Sequence, residues 1–226
     1  MSPPSADSFW ESVETVEQFT GKEPDVRFQE LLAGYSDPGQ VRVLDVGCAA
    51  GRNTVIAAER GFDVFAIDSS EAMVARTRER VALFLGPEES ERRIGLGDME
   101  NLSAFADASV HVLVALGVLH QAATESQWTG AIREMSRCVA PGGQLLVAVW
   151  SPRSRPHGES IRRVAGEHHV YEGFHSGTHC LVEVPLLDST LSSVGFVPVV
   201  PTQEVVVETE KGWRVTINAL YRRIQS

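Results

Sequence analysis

The sequence predicts an α/β protein, a three-layer sandwich whose seven-stranded, mostly parallel sheet is finished by a C-terminal antiparallel hairpin. Three observations predict it. Short apolar, β-branched runs alternate with helical segments from residue 41 to residue 150. Glycine turns close the first, third and fourth of those runs. The tail from residue 196 then alternates apolar and polar residues on either side of Glu210-Lys211-Gly212, the pattern of a hairpin.

The chain opens with two predicted helices, over 9–19 and 24–32, separated at Thr20-Gly21 and ended by Ser36-Asp37-Pro38-Gly39. Val41, Val43, Leu44 and Val46 form the first strand, short and apolar enough to be covered on both faces. A helix is expected over 52–60, stopped by Gly61, and a second strand over 63–67. Ser69 or Ser70 caps a helix running to Leu85, and a third strand covers 94–96 before Gly97-Asp98. The fourth strand covers 110–116. The helix over 125–139 shows Trp128, Ile132, Met135 and Val139 on one face, and Pro141-Gly142-Gly143 breaks it ahead of a fifth strand over 144–150. Residues 151–180, rich in Arg, His, Gly and Ser, have no periodicity and read as an irregular insert over the active site. A helix over 185–193 and the hairpin complete the chain.

The 226 residues suit one domain, with 43% apolar and 22% charged residues in the globular range. No apolar run reaches the ~20 residues of a membrane span, and MSPPSADSFW lacks the features of a signal peptide, so a cytoplasmic, membrane-free protein is expected. Cys48, Cys138 and Cys180 are too few and too far apart for a disulfide framework. A net charge of −10 argues against nucleic acid, whose binding depends on Lys and Arg at phosphates, and favours a small-molecule substrate. His157, His168, His169, His175 and His179 match no closed zinc pattern, so no metal is expected.

Sheets of this kind bind ligands at the carboxyl ends of their strands. The first strand ends in Asp45-Val46-Gly47-Cys48-Ala49-Ala50-Gly51, the second in Asp68-Ser69, the third in Gly97-Asp98-Met99-Glu100, and the fourth in Leu116-Gly117-Val118-Leu119-His120. A glycine turn alone also arises from close packing. Asp68, about 20 residues later, is placed either to accept hydrogen bonds from two ribose hydroxyls or to cap a helix. A dinucleotide fingerprint would put its middle and last glycines at 49 and 52, where this chain has Ala49 and Arg52.

These residues resemble the class I S-adenosylmethionine-dependent methyltransferases. Asp45, Gly47 and Gly51 match the family's acidic glycine-rich motif, with Ala49 as the departure. Asp68 matches its ribose-binding acid, GDMENL its adenine segment, and FADASVHVLVALGVLHQA and REMSRCVAPGGQLLVAVW its fourth and fifth strands. GRNT is similar to the small-molecule branch that includes the tellurite-resistance methyltransferases and the type 11 and type 25 domains. The resemblance implies a Rossmann-like core over 41–150, a helical lid over 1–40, and an S-adenosyl-L-methionine site. That site would comprise Asp45, Gly47, Cys48, Ala49, Gly51, Arg52, Asn53, Asp68, Ser69, Met73, Gly97, Asp98, Met99, Glu100, Leu116, Gly117 and Val118.

In this reading Asp98 bonds the adenine amino group, and Met99 packs on the ring or in the core. A methionine tail, unlike a pyrophosphate, tolerates Ala49. His111 stands where the family carries Asp, at the far end of the fourth strand, so a structural consequence alone is expected. Trp10, His120 and Trp150 are the substrate-side candidates, with Tyr171 and Phe174 as further aromatics. His120 is the candidate base, although in-line transfer to a nucleophile that arrives unprotonated requires none. The implied activity is methyl transfer to a small molecule with S-adenosyl-L-homocysteine as product, by a monomer or homodimer. Two alternatives remain open: a cofactor-binding regulator without turnover, and an NAD-dependent oxidoreductase.

Overall fold

The apolar runs assemble into one sheet because each is flanked by a helix that covers a face its backbone cannot leave bare. The computed structural model describes residues 9–156, 158, 161–174 and 177–225. Strands β1 (Arg42–Val46), β2 (Asp63–Asp68), β3 (Ile94–Leu96), β4 (Val110–Leu116) and β5 (Val139–Trp150) are parallel in the order β3-β2-β1-β4-β5. β11 (Gly212–Arg223) joins the β5 edge antiparallel, and β10 (Gln203–Thr209) pairs with β11 as the outermost strand. The short β9 (Phe196–Pro198) also pairs with β11, so the described sheet has eight strands where seven were expected.

Helices α1 (Val13–Thr20), α2 (Val26–Ala33), α3 (Arg52–Glu59), α4 (Glu71–Leu85), α5 (Pro87–Arg93), α6 (Glu125–Cys138) and α7 (Val184–Ser193) complete the layers. Ser12, Asp25, Ser70 and Thr124 cap α1, α2, α4 and α6, each accepting a backbone N–H from the first turn. One apolar cluster joins α6 and α7 to one face of the sheet through Ile132, Met135, Leu187 and Leu191. The other joins α2, α3 and α4 to the opposite face through Phe28, Leu32, Ala57 and Val81.

The structure corrects the sequence reading at three places. α5 was not expected; Gly86, at φ 82°, ends α4, and Pro87 starts a new helix with Glu88 and Glu89 in its first turn and Arg92 and Arg93 in its last. Pro141-Gly142-Gly143 does not stand before β5 but inside it. Val110 pairs with Val139 and Val112 with Gln144, so residues 140–143 bulge opposite His111 alone. The insert is not irregular: β6 (Arg162–Arg163), β7 (Val170–Phe174) and β8 (Gly177–Cys180) form a separate antiparallel sheet. His111 lies at the amino end of β4, where its Nδ1 accepts the Arg42 N–H at 2.9 Å, a purely structural role.

Phe28 is fully buried and anchors the N-terminal helices to the sheet. Phe28→Ala should lower unfolding stability by about 3–5 kcal/mol in urea titration. A loss under about 1 kcal/mol would mean that α2 is not docked in solution.

Candidate active site

The turn between β1 and α3 follows a left-handed path, with φ of 71° at Gly47, 48° at Ala49 and 76° at Gly51. Glycine is required at two of these positions for space as well as for φ. A Cβ on Gly47 would stand 2.7 Å from the Val118 side chain, and one on Gly51 2.7 Å from Thr77 Cγ2. Ala49 takes the same backbone region with its methyl group in place, at a conformational cost of roughly 1–2 kcal/mol. Hydrogen bonds hold it there. The Ile67 carbonyl accepts from the N–H of Gly47 (2.9 Å) and of Cys48 (3.1 Å), and Thr77 Oγ1 donates to the Ala49 carbonyl at 2.7 Å. Asp68 Oδ2 accepts the Ala49 N–H at 2.8 Å, and its Oδ1 accepts the Ser70 N–H at 3.0 Å.

The two acids on this turn differ in surroundings. Asp45 is buried, with the Thr54 hydroxyl donating to its Oδ2 at 2.8 Å, and burial pushes its carboxyl up to about 6 against the pull of Thr54 and Arg52. Burial also raises Asp68, while the N–H groups of Ser70 and Ala49 oppose the shift. The Thr54 bond places the Asp45 carboxylate at the start of α3, a position that a dinucleotide's pyrophosphate would need for itself.

The carboxyl ends of β1 to β5, the start of β11 and the N-terminal helices enclose a cavity of about 840 Å³. This lies toward the upper end of small-molecule sites, with room for a nucleoside cofactor and a second ligand. On the side of β1 to β3 its wall includes Gly47, Ala49, Asp68, Gly97, Asp98 and Met99. On the other side it includes Trp10, Phe19, His120, Trp150, Phe174 and Arg214. His120 is buried and stacks on Trp150 with centroids 4.6 Å apart and planes at 15°. Burial, His179 and Arg214 together hold its imidazole well below the ordinary histidine range, so it is neutral and weakly basic. The insert reaches this side too. His179 Nδ1 lies 3.0 Å from the His120 carbonyl oxygen, and Phe174 meets the His179 ring edge-on at 4.4 Å. Glu125, at the start of α6, ties the insert down by accepting the N–H groups of His168 and His169, each at 2.6 Å.

Most of the expected site residues line this one cavity: Asp45, Gly47, Cys48, Ala49, Arg52, Asn53, Asp68, Ser69, Gly97, Asp98, Met99, Leu116, Gly117 and Val118, with Trp10, His120 and Trp150 opposite. Gly51, Met73 and Glu100 do not. Gly51 shapes the turn, Met73 is buried under it against Ala50 and Val16, and Glu100 is an exposed residue beside α6. Tyr171 faces a separate small pocket with Arg163 and His169. His157 and His175 lie outside the described residues, among which no group of three or more His, Cys, Asp or Glu is placed to hold a metal.

Sequence reasoning missed Lys22, Arg27, Arg214, Thr216 and Asn218. The last three alternate along β11, so the period was legible, but which face met the cavity was not.

Residues 43–143 match a family model described as a methyltransferase domain. The trans-aconitate 2-methyltransferase of Variovorax paradoxus is 31% identical over 141 residues, covering 62% of this chain and 50% of that protein. A probable tRNA methyltransferase 9B of Mus musculus is 31% identical over 114 residues, covering 50% of this chain and 22% of the other. The chain thus spans half the length of the first relative and under a quarter of the second. Among solved structures, the Burkholderia thailandensis 1,6-didemethyltoxoflavin-N1-methyltransferase, with its substrate and S-adenosylhomocysteine bound, superposes with a TM-score of 0.65 at 18% identity, covering 94% of this chain and 83% of that one. Family model and fold thus agree on the segment that carries the turn, Asp68 and the β4 wall: residues 43–143 are similar to a methyltransferase domain, and the chain shares its fold with a solved methyltransferase.

Proposed function

We propose that the protein transfers a methyl group from S-adenosyl-L-methionine to a small molecule. The observation that carries this reading is the single cavity that joins a nucleoside-type wall to an aromatic wall. The residues present fit the cofactor. Asp68 retains lone pairs for ribose hydroxyls beyond the two N–H groups it accepts, Asp98 and Met99 offer an acceptor and an apolar surface at the end of β3, and Asp45 offers a carboxylate for an ammonium group. When bound, the cofactor supplies an activated methyl group on a sulfonium.

The work left to the chain is positional. Trp150, His120 and Phe174 form a rigid apolar wall against which an acceptor is oriented, and the helices carrying Trp10 and Phe19 act as a lid that excludes water. His120, held neutral by burial, lines the pocket, and its low basicity suits an acceptor that arrives already deprotonated. A small acceptor is favoured over the tRNA suggested by the name of several relatives because the site is a cavity rather than a basic surface, in a chain of net charge −10.

Calorimetry should show binding of S-adenosylmethionine and S-adenosylhomocysteine but not NAD, and a metabolite panel should yield S-adenosylhomocysteine. NAD binding without either sulfur compound would contradict the reading, and cofactor binding without any turnover would favour a regulatory role.

The raised carboxyl of Asp45 gives a pH signature. Unfolded, it titrates near 4, and folded at about 6, so the stability it contributes is present below pH ~4 and is lost as pH rises through 6. Cofactor binding runs the other way, because the ammonium group needs the ionised form. Affinity for S-adenosylhomocysteine should fall roughly tenfold from pH 7 to pH 5, and Asp45→Asn should flatten that dependence. An unchanged slope in the variant would remove Asp45 from the role.

At the neighbouring turn, Ala49→Gly relieves the left-handed strain, less the added freedom of the unfolded chain. It should leave cofactor affinity within a few fold and raise stability by roughly 0.5–1 kcal/mol. Gly47→Ala, driven against Val118, should lose at least about tenfold in affinity. Equal effects of the two substitutions would refute the assigned geometry.

A further inference from the structure

The charges around the cavity do not balance by position. Among the described residues four acids line it: Asp25, Asp45, Asp68 and Asp98. Asp25 is taken by Arg27 in an ion pair of 2.6 Å, Asp68 accepts two backbone N–H groups, and burial draws Asp45 toward its neutral form. Asp98 follows β3, five strand spacings from β11 in the order β3-β2-β1-β4-β5-β11, or about 24 Å at ~4.8 Å each. Against them stand Arg214 on β11, Lys22 just beyond α1, and Arg52 at the start of α3, where it also acts on Asp25 and Asp45; none of the three is in an ion pair with a described residue. They are close enough to repel one another. Lys22, crowded by protein despite an exposed flank, is pulled down to about 8 by burial and then by Arg52 and Arg214. The carboxylate of an amino-acid cofactor seated at the turn before α3 can neutralise Arg52, which leaves Lys22 and Arg214.

Arg214 carries a second, independent sign. It lies on the β11 face that also bears Thr216 and Asn218, registered against Trp150 and Ala148 of β5. Its guanidinium carbon sits 5.5 Å over the Trp150 ring. Arg214 Nε, Thr216 Oγ1 and Asn218 Oδ1 are buried atoms without a hydrogen-bond partner among the described residues, and all three side chains line the cavity. Unsatisfied buried polar groups cost about 1–3 kcal/mol each, so three in a row at a cavity wall mark a surface shaped for a ligand.

We infer that the methyl acceptor is a small organic acid whose carboxylate is held by Arg214 and Thr216 beside Trp150. The carboxylate accepts from Arg214 Nε and the Thr216 hydroxyl. Asn218 Oδ1 then accepts from a donor on the same molecule, such as a hydroxyl. A flat acid would lie along Trp150 under the Arg214 guanidinium. Lys22 at the lid supplies the remaining positive charge. This inference deepens the methyl-transfer reading and rests on it.

The test uses the full chain saturated with S-adenosylhomocysteine and titrated with malate, 3-hydroxybenzoate, their neutral amides and inorganic phosphate. At least one acid should bind in the millimolar range or tighter, with its amide weaker by about tenfold or more. Arg214→Gln should weaken that acid by a similar factor while leaving S-adenosylhomocysteine affinity within about twofold, and Arg214→Lys should restore part of the loss. Because Arg214→Gln removes an unpaired cation, its thermal midpoint should hold or rise; a clear fall would assign Arg214 a structural role and overturn the inference. So would a complex that binds none of the acids, prefers phosphate, or is indifferent to Arg214→Gln. Failure of S-adenosylhomocysteine itself to bind would instead overturn the underlying methyl-transfer reading.

Discussion

The Asp68 carboxylate is the constraint on which the site depends. By accepting the N–H of Ala49 with one oxygen and that of Ser70 with the other, it ties the turn after β1 to the cap of α4. The adjacent Ile67 carbonyl takes the two N–H groups just before. Backbone that would otherwise be free to relax is thereby fixed in the left-handed region, flush against Val118. A buried carboxylate satisfied by two backbone donors is more stable than one left alone, and it keeps acceptor capacity for a ligand. The same bond that orders the loop thus sets one wall of the cavity.

The cavity as a whole is built with unspent polarity. Strained Ala49, buried Asp45, crowded Lys22 and the unpartnered atoms on β11 each lower the stability of the free protein, and they share one cavity. Outside the cavity such exceptions are fewer among the described residues, Ala108 at φ 52° and the unpartnered Trp128 Nε1, beside capped helices and two apolar clusters. Concentrated exceptions of this kind are what a site prepared for charged ligands requires. Asp45 and Lys22 bring both signs of charge to the cavity, and the unpartnered atoms on β11 are the basis of the second, anionic ligand proposed above.

Much of this was legible in the sequence where local rules govern. The alternation of strand and helix gave the parallel core, because apolar runs buried on both faces have few alternatives. Asp45, Gly47, Asp68 and Asp98 could be placed because carboxyl-end turns converge in this topology. Other features depended on tertiary context. The strand character of 139–143 exists only because the bulge opposite His111 absorbs a Pro-Gly-Gly that otherwise breaks a helix. The sheet within the insert forms from Arg- and His-rich segments with no alternation, held by Glu125 of a distant helix. Arg214, Thr216 and Asn218 follow a clear period of two, but the face they present is fixed by pairing with β5, which the period alone does not specify. Met73 and Glu100 were misplaced for the converse reason: proximity in sequence to the turns does not decide whether a side chain points up into the cavity or down into the core or solvent.

Hydrogen exchange with and without S-adenosylhomocysteine tests the central claim most directly, since it reads the backbone of the turns rather than activity. Binding should slow exchange in peptides covering 47–51, 68–70 and 97–99 and leave 184–193 in α7, which does not line the cavity, unchanged. Protection confined to other segments, or none at saturating ligand, would contradict the account of where the cofactor lies.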